Sequence, residues 1–134
     1  MYELSIWPVI AAAISSILIG YFWYHPRVFG TLWMREAGIT PEMAEHGARY
    51  RHVHFLFGFL AALITAYVAR ELMVQIGVKT VAAAFGFGIV IWIGFVAPVA
   101  ASAFLWEHRS FKFYVLNISY WLLVCVVMSV ILVL

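Results

Sequence analysis

Charge is scarce in this chain of 134 residues, which has no aspartate, six glutamates and eight lysines or arginines, so that only 10% of it is charged. Soluble domains average about 25% charged and about 45–50% apolar residues, whereas 66% of this chain is hydrophobic. A net charge of +2 is also too small to attract a polyanion. The composition therefore disfavours nucleic-acid binding and water-soluble enzymes, and it favours a protein embedded in lipid.

Cysteine and metal-binding motifs are almost absent. Cys125 is the only cysteine, so it cannot form an intrachain disulfide and gives no indication of the redox compartment. The chain has no H-E-x-x-H or Cys/His zinc spacing, and we predict no cofactor and no metal. His52, His54 and His108 are the candidate metal or haem ligands, but His52 and His54 would point about 200° apart on a helix.

Four long apolar runs make up most of the sequence, at residues 4–24, 53–76, 80–106 and 113–134. Each run covers at least the roughly 20 residues that a helix needs to cross a hydrocarbon core of about 30 Å. None shows the alternation of a strand, and helices satisfy their own backbone polar groups in lipid. The sequence predicts an all-α, single-domain integral membrane bundle of four transmembrane helices.

Basic residues are distributed unevenly between the predicted loops. Six of the lysines and arginines lie in the loops at 25–52 and 107–112, against two, Arg70 and Lys79, on the opposite face. The positive-inside rule then places these two loops in the cytoplasm and both termini outside.

The first loop contains signals for further helices. Residues 29–37 are predicted to form a short interfacial helix that stops at Gly38. Thr40 is suited to cap a second helix that begins with Pro41, because proline is favoured at the first helical position. We expect this second helix to lead into the second transmembrane span.

Small residues indicate which helix faces touch, because helices in lipid associate by close approach. One set of small residues at i, i+4 spacing occurs on each of the first three helices: Ala12, Ser16 and Gly20; Gly58, Ala62 and Ala66; Ala82 and Gly86, with Ala97 and Ala101. We interpret these sets as contacts within the bundle and not as a dimer motif.

Pro98 predicts an irregular third helix. Its ring clashes with the carbonyl of Gly94, so we expect a kink between these two residues and a carbonyl that needs a new partner. Asn117, Tyr120 and Trp121 share one face of the fourth helix and are the predicted partners. A contact to a substrate or lipid headgroup is the alternative use of Asn117.

The end of the first helix carries a motif, GYFWYHPRVFGTLWM, at residues 20–34. It resembles the G-x-x-W-Y-x-P-x-x-F-G-x-x-W-M signature of a bacterial membrane family, domain-of-unknown-function family 1761. The C-terminal third is similar to that family's E-x-R loop and N-x-x-Y-W motif through Glu107, Arg109, Asn117, Tyr120 and Trp121. The resemblance implies a small four-helix protein of the bacterial cytoplasmic (inner) membrane, without an assigned reaction.

Physics alone accounts for much of this motif. Pro26 disfavours helix at His25 and so ends the first span, and Gly30 is expected to permit a tight turn. Trp23 and Tyr24 would anchor the helix end at the headgroups. His25 and His108 depart from the family pattern and are poor candidates for a shared activity.

The residues favour a structural, accessory or ligand-binding membrane subunit over an enzyme. No nucleophile-elbow pattern surrounds a serine, and no ionisable group lies deep in a predicted span, as a proton-coupled exchanger would need. The alternative is a passive pathway for ions or small solutes in a homodimer. We predict lipids and either further copies or a larger membrane complex as partners, with candidate ligand or interface residues Trp23, Tyr24, Pro26, Glu107, Arg109, Asn117, Tyr120 and Trp121.

Overall fold

The structure, a computed structural model, describes residues 5–134. This part of the chain is helical, with no strand. Its elements are α1 (Trp7–Trp23), a π-helical turn (Pro26–Gly30), α2 (Thr31–Ala37), α3 (Pro41–Ala48), α4 (Arg51–Gln75), α5 (Val81–Ile91), a second π-helical turn (Trp92–Val96), α6 (Ala97–Leu105) and α7 (Phe111–Val133). The all-α class predicted from the sequence is confirmed for these residues, and the predicted start of the first span at residue 4 lies outside them.

Three helical runs are long and apolar enough to cross a membrane. They are α4, the run Val81–Leu105 that joins α5 to α6, and α7. α1 passes the same test only together with Pro26–Ala37, from which it is bent by 47°. The described residues therefore contain three spans by this measure, or four when the bent pair is counted as one.

The last helix is the centre of the bundle. α7 packs against α1 on one side and against α5 on the other, and α4 packs against α1. Val9, Met73, Ala84 and Leu132 are buried in one cluster. These residues come from the start of α1, the end of α4, the start of α5 and the end of α7, so these four helix ends lie at one end of the bundle.

Small residues allow the close helix contacts that were predicted for α1 and α4. Ala12 and Ser16 of α1 are buried, as are Ala62 and Ala66 of α4. Gly58 of α4 faces α1 as well, because a Cβ atom there would lie 3.9 Å from a methyl group of Ile17.

The small-residue prediction for the third helix chose the wrong face at Ala82 and Gly86, whereas its other two members, Ala97 and Ala101, are half-buried. Ala84 and Gly88 are buried, whereas Ala82 and Gly86 are exposed. A Cβ atom on Gly88 would lie 2.7 Å from the carbonyl oxygen of Cys125, while nothing lies within 4 Å of one on Gly86. Residues 82–88 are mostly small, so the spacing fits two opposite faces equally well, and only the position of α7 selects one.

The irregularity expected near Pro98 takes the form of the π-helical turn Trp92–Val96, in which the N–H of Ala97 donates to the carbonyl oxygen of Trp92. A π turn leaves room in the hydrogen-bond ladder where proline supplies no donor. The run Val81–Leu105 still counts as one membrane-length helix. Gly94 and Pro98 themselves are exposed.

Two of the partners predicted for this irregular segment, Asn117 and Tyr120, bond elsewhere, whereas Trp121 lines a groove together with Val96 and Ala100. The Trp92 indole donates to the carbonyl of Ile118 at 2.7 Å, and the Tyr114 hydroxyl donates to the carbonyl of Ala97 at 2.9 Å. Asn117 instead bonds across the other side of α7, to α1. The prediction matched depths by counting residues from the α6–α7 turn, which can pair α7 only with the third membrane-spanning run. It gave no information on α1, which packs on the other side of α7.

The connection between α1 and α4 confirms the predicted helix signals. α2 ends before Gly38, which has a left-handed φ of 70°, and the Thr40 hydroxyl accepts a hydrogen bond from the Met43 N–H at 3.2 Å to cap α3. The chain thus turns back at the end of α1 and lays α2 against α7.

Candidate functional site

Tyr24, directly after α1, joins three elements at the end of the bundle away from the buried cluster. Its hydroxyl donates to Oδ1 of Asn117 on α7 at 2.7 Å. Its ring centroid lies 5.2 Å from that of Tyr120 on α7 and 5.4 Å from that of Trp33 on α2. Such edge-on and tilted arrangements are favourable for aromatic rings, so Tyr24 holds α1, α2 and α7 together.

The chain reversal after α1 puts Tyr24 in this place. His25 is extended, with φ −68° and ψ 139°, as expected for a residue before proline. Gly30 is buried and helical, which corrects the prediction that it permits a tight turn. A Cβ atom on Gly30 would lie 2.1 Å from the carbonyl oxygen of Tyr24, so glycine is needed for close approach of the backbone.

Tyr120 forms the second wall of the site. Its hydroxyl donates to the carbonyl of Ser16 on α1 at 3.2 Å, and it packs closely on Gly20, where a Cβ atom would lie 3.1 Å from the hydroxyl oxygen. Its ring also lies 5.0 Å from that of Trp121. The α1–α7 packing thereby fixes the orientation of the Tyr120 ring.

A polar clamp holds α2 over this end of the bundle. The Ser110 hydroxyl donates to Oε2 of Glu36 at 2.6 Å, and the Arg109 guanidinium donates to the carbonyl of Ala37 at 2.9 Å. Arg109 also lies over the ring of Phe113, 5.4 Å from its centroid. The α6–α7 loop is thus tied to the C-terminal end of α2 by two hydrogen bonds.

A cavity of about 440 Å³ lies beneath α2, and we call it the aromatic chamber. Its size falls within the range of about 300–1,000 Å³ that is typical of small-molecule sites. None of the described residues that line it is charged. They are Tyr24, Trp33, Ala100, Ser102, Ala103, Phe113, Tyr114, Asn117, Tyr120 and Trp121.

The tyrosine hydroxyls in the chamber have hydrogen-bond acceptors within the described residues, whereas the Asn117 amide group has none. The hydroxyl of Tyr24 donates to Asn117, and those of Tyr114 and Tyr120 each donate to a backbone carbonyl, at 2.9 Å and 3.2 Å. Asn117, the only asparagine in the chain, has its oxygen occupied, while its two amide N–H groups have no acceptor among residues 5–134. The chamber therefore offers amide donors to a ligand with an acceptor atom.

A second cavity, of about 450 Å³, lies on the other side of Tyr24 and Tyr120, which line both cavities. It is bounded by α1 and the start of α4, with Arg51 and Phe55 among its lining residues. Pro26 lines this second cavity and not the chamber. The two tyrosines lie between the chamber, which has no charged lining residue, and the second cavity, which is lined in part by the cationic side chain of Arg51.

Four of the residues predicted for ligand binding or helix contacts meet at the chamber: Tyr24, Asn117, Tyr120 and Trp121. Trp23 faces away, with its ring centroid 4.6 Å from that of Phe29 and its indole N–H buried without an acceptor among residues 5–134. Arg109 belongs to the clamp. Glu107 is exposed and does not line the chamber.

The histidines considered as metal ligands are not brought together. His52, His54 and His108 are exposed, and residues 5–134 contain no group of three or more His, Cys, Asp or Glu side chains that could hold a metal ion. His108 instead has a left-handed φ of 55° in the turn after α6.

Sequence reasoning missed Glu36 and Ser110 as parts of the site. Ser110 carries a visible signal, because serine before an apolar helix is a common N-cap, and its hydroxyl accepts from the Phe113 N–H at 3.1 Å. Glu36 has no local signal for its contact with Ser110, which is 74 positions away in the chain.

The fold and the chamber define an all-helical protein with membrane-length helices and an uncharged aromatic site at one end. The chain belongs to the family described as "Protein of unknown function (DUF1761)", whose family model matches residues 7–133. The resemblance in the tryptophan-rich motif and the C-terminal third is thereby confirmed. No curated protein matches the chain, and no solved structure matches it.

Proposed function

We propose that this chain is a membrane protein that binds an uncharged small molecule in the aromatic chamber. The observation that carries the proposal is Asn117, whose oxygen is fixed by Tyr24 while its amide donors are free at a cavity of about 440 Å³. The Asn117 amide nitrogen is not among the buried polar atoms without a partner, so it is accessible to a ligand carbonyl, which would accept from it.

Binding accounts for the chamber better than catalysis does. Its lining residues include no histidine, carboxylate or cysteine, so none of these side chains is placed there as a general base or strong nucleophile. The aromatic rings around Asn117 instead offer flat surfaces for packing. All of the described lining residues come from one chain.

We also propose that the chamber lies at the cytoplasmic side of the inner membrane, with both termini outside. The distribution of basic residues supports this placement, because the loops next to the chamber hold six of the eight lysines and arginines. Membrane sidedness is tested with a membrane-impermeant thiol reagent on a chain that carries His108→Cys and Cys125→Ser. The thiol at position 108 should react in inverted vesicles and not in intact cells.

Binding is tested with duroquinone, a flat, uncharged dicarbonyl compound without a hydrocarbon tail. The full chain in lipid nanodiscs should show saturable quenching of its tryptophan fluorescence. Asn117→Leu should weaken binding about tenfold, as expected for loss of a buried hydrogen bond. Ser119→Ala is the matched control on α7, because Ser119 lines a different cavity with Trp23 and Phe29.

Equal affinity of the wild-type and Asn117→Leu chains for duroquinone would overturn the proposal. The alternative, a passive pathway in a homodimer, predicts instead that liposomes containing the chain leak ions or small solutes faster than empty liposomes. A binding protein predicts no such difference.

A further inference from the structure

An apolar groove lies next to the aromatic chamber and runs along α7. It has a volume of about 360 Å³ and lies between α4 on one side and the α5–α6 run on the other. On α7 it is lined by Trp121, Val124, Cys125, Met128 and Ser129. These residues share one helix face at i, i+3, i+4, i+7 and i+8, and they extend over about 12 Å of the helix axis.

The arrangement of the helices keeps this groove open. α4 and α5 are consecutive in the chain, yet they make almost no contact with each other within residues 5–134, because each packs on a different neighbour. α7 forms the floor between them. The π-helical turn Trp92–Val96 contributes Phe95 and Val96 to one wall, and the indole of Trp92 fixes this turn to α7 at 2.7 Å.

The chamber and the groove lie side by side, since Ala100 and Trp121 line both. The two spaces differ in chemistry. The chamber offers free amide donors and aromatic walls, whereas the groove is lined almost entirely by apolar side chains, with Thr65, Cys125 and Ser129 as its polar members. Thr65 and Ser129 already donate to backbone carbonyls of their own helices, at 3.0 Å and 2.7 Å.

We propose that the chamber and the groove hold one ligand, an uncharged amphiphile with a flat, carbonyl-bearing head and a single hydrocarbon tail. This inference rests on the proposed function and names its ligand class. The head follows from the aromatic walls, the absence of charge among the lining residues and the free donors of Asn117. The tail follows from the apolar groove that shares Ala100 and Trp121 with the chamber and runs away from it along α7. Quinones with a hydrocarbon chain are one group in this class.

The inference is tested with decylubiquinone and with the same head bearing a methyl group in place of the decyl tail. In nanodiscs, the wild-type chain should bind the tailed compound about tenfold more tightly, relative to the partition of each compound into empty nanodiscs. Thr65→Phe places an aromatic ring in the groove and should remove this advantage without changing affinity for the tail-free compound. Thr65→Val is the matched control, because valine has the shape of threonine and leaves the groove open.

The location of the tail is tested directly by a photoreactive group at its end. Crosslinks in the wild-type chain should map to residues 124–129 of α7, and they should be lost in Thr65→Phe. Crosslinks spread evenly over the lipid-facing helices, or competition by decanol as strong as by the tailed compound, would show ordinary lipid in the groove and overturn the inference.

The two proposals fail differently. If tailed and tail-free compounds bind equally and Thr65→Phe has no effect, while Asn117→Leu still weakens both, the tail inference is wrong and the chamber remains a binding site. If Asn117→Leu changes neither, the chamber is not the site, and the proposed function fails together with the inference.

Discussion

The close contact between α5 and α7 at Gly88 predicts that a larger residue there destabilises the protein, and Gly86 offers a matched control. A Cβ atom on Gly88 would lie 2.7 Å from the carbonyl oxygen of Cys125 and 2.8 Å from the Cα of Val126. Both atoms belong to the backbone of α7, so no side chain can rotate to make room. Gly88→Ala therefore requires the two helices to separate, and overpacking of this kind costs about 1–3 kcal/mol.

The same substitution also has a favourable part, because alanine in a helix interior is better than glycine by about 0.5–1 kcal/mol. Gly86→Ala, two residues earlier on α5, measures this favourable contribution by itself, since nothing lies within 4 Å of a Cβ atom there. The difference between the two variants removes the backbone contribution. We expect Gly88→Ala to have a free energy of unfolding about 1–3 kcal/mol below that of Gly86→Ala.

The measurement is reversible unfolding of the full chain in mixed detergent micelles, followed by circular dichroism as the denaturing detergent is increased. Gly86→Ala should unfold at the wild-type midpoint or above it, and Gly88→Ala clearly below it. Equal midpoints for the two variants would refute the packing of α5 on α7 through Gly88 and with it the phase assigned to the third span.

Three further predictions concern the chamber end. Gly30→Ala should weaken duroquinone binding and lower stability by about 1–3 kcal/mol, because its Cβ atom would meet the Tyr24 carbonyl at 2.1 Å, whereas Gly47→Ala, with open space, should do neither. Ser110→Ala removes both the cap of α7 and the bond to α2 and should speed tryptic cleavage after Arg35; an unchanged rate would contradict the clamp. Trp92→Phe should cost about 0.6–1.7 kcal/mol in the micelle assay, and no loss would argue against its bond to α7.

Sequence patterns predicted the elements of this fold where the signal is local. Apolar runs indicate the long helices, Pro26 and Gly38 mark helix ends, and Thr40 marks a helix start. Composition indicates a protein embedded in lipid, since charged side chains are too few to cover the surface of a soluble domain. The length of the apolar runs and their lack of alternation indicate membrane-length helices.

Four members of the candidate site were predictable from the sequence, but the contacts between them were not. Asn117 stands out because it is the only asparagine in the sequence and lies in an apolar run. Tyr24 stands out because it lies at a helix end that Pro26 terminates. Their hydrogen bond joins residues 93 positions apart and depends on α1 being next to α7, which no local pattern specifies. The phase of Gly88 and the clamp at Glu36 depend on the same tertiary order of helices.

The central position of α7 has a consequence for biosynthesis. Helices enter the membrane in chain order, so α1 and α4 can pair as soon as both have been inserted, whereas the α5–α6 run has its main partner, α7, still to come. Until residues 111–133 leave the ribosome, Gly88 and Ala84 have only lipid to contact. The aromatic chamber, which needs Tyr114, Asn117 and Tyr120, is therefore completed only when α7 has been inserted and not with the tryptophan-rich motif that begins it.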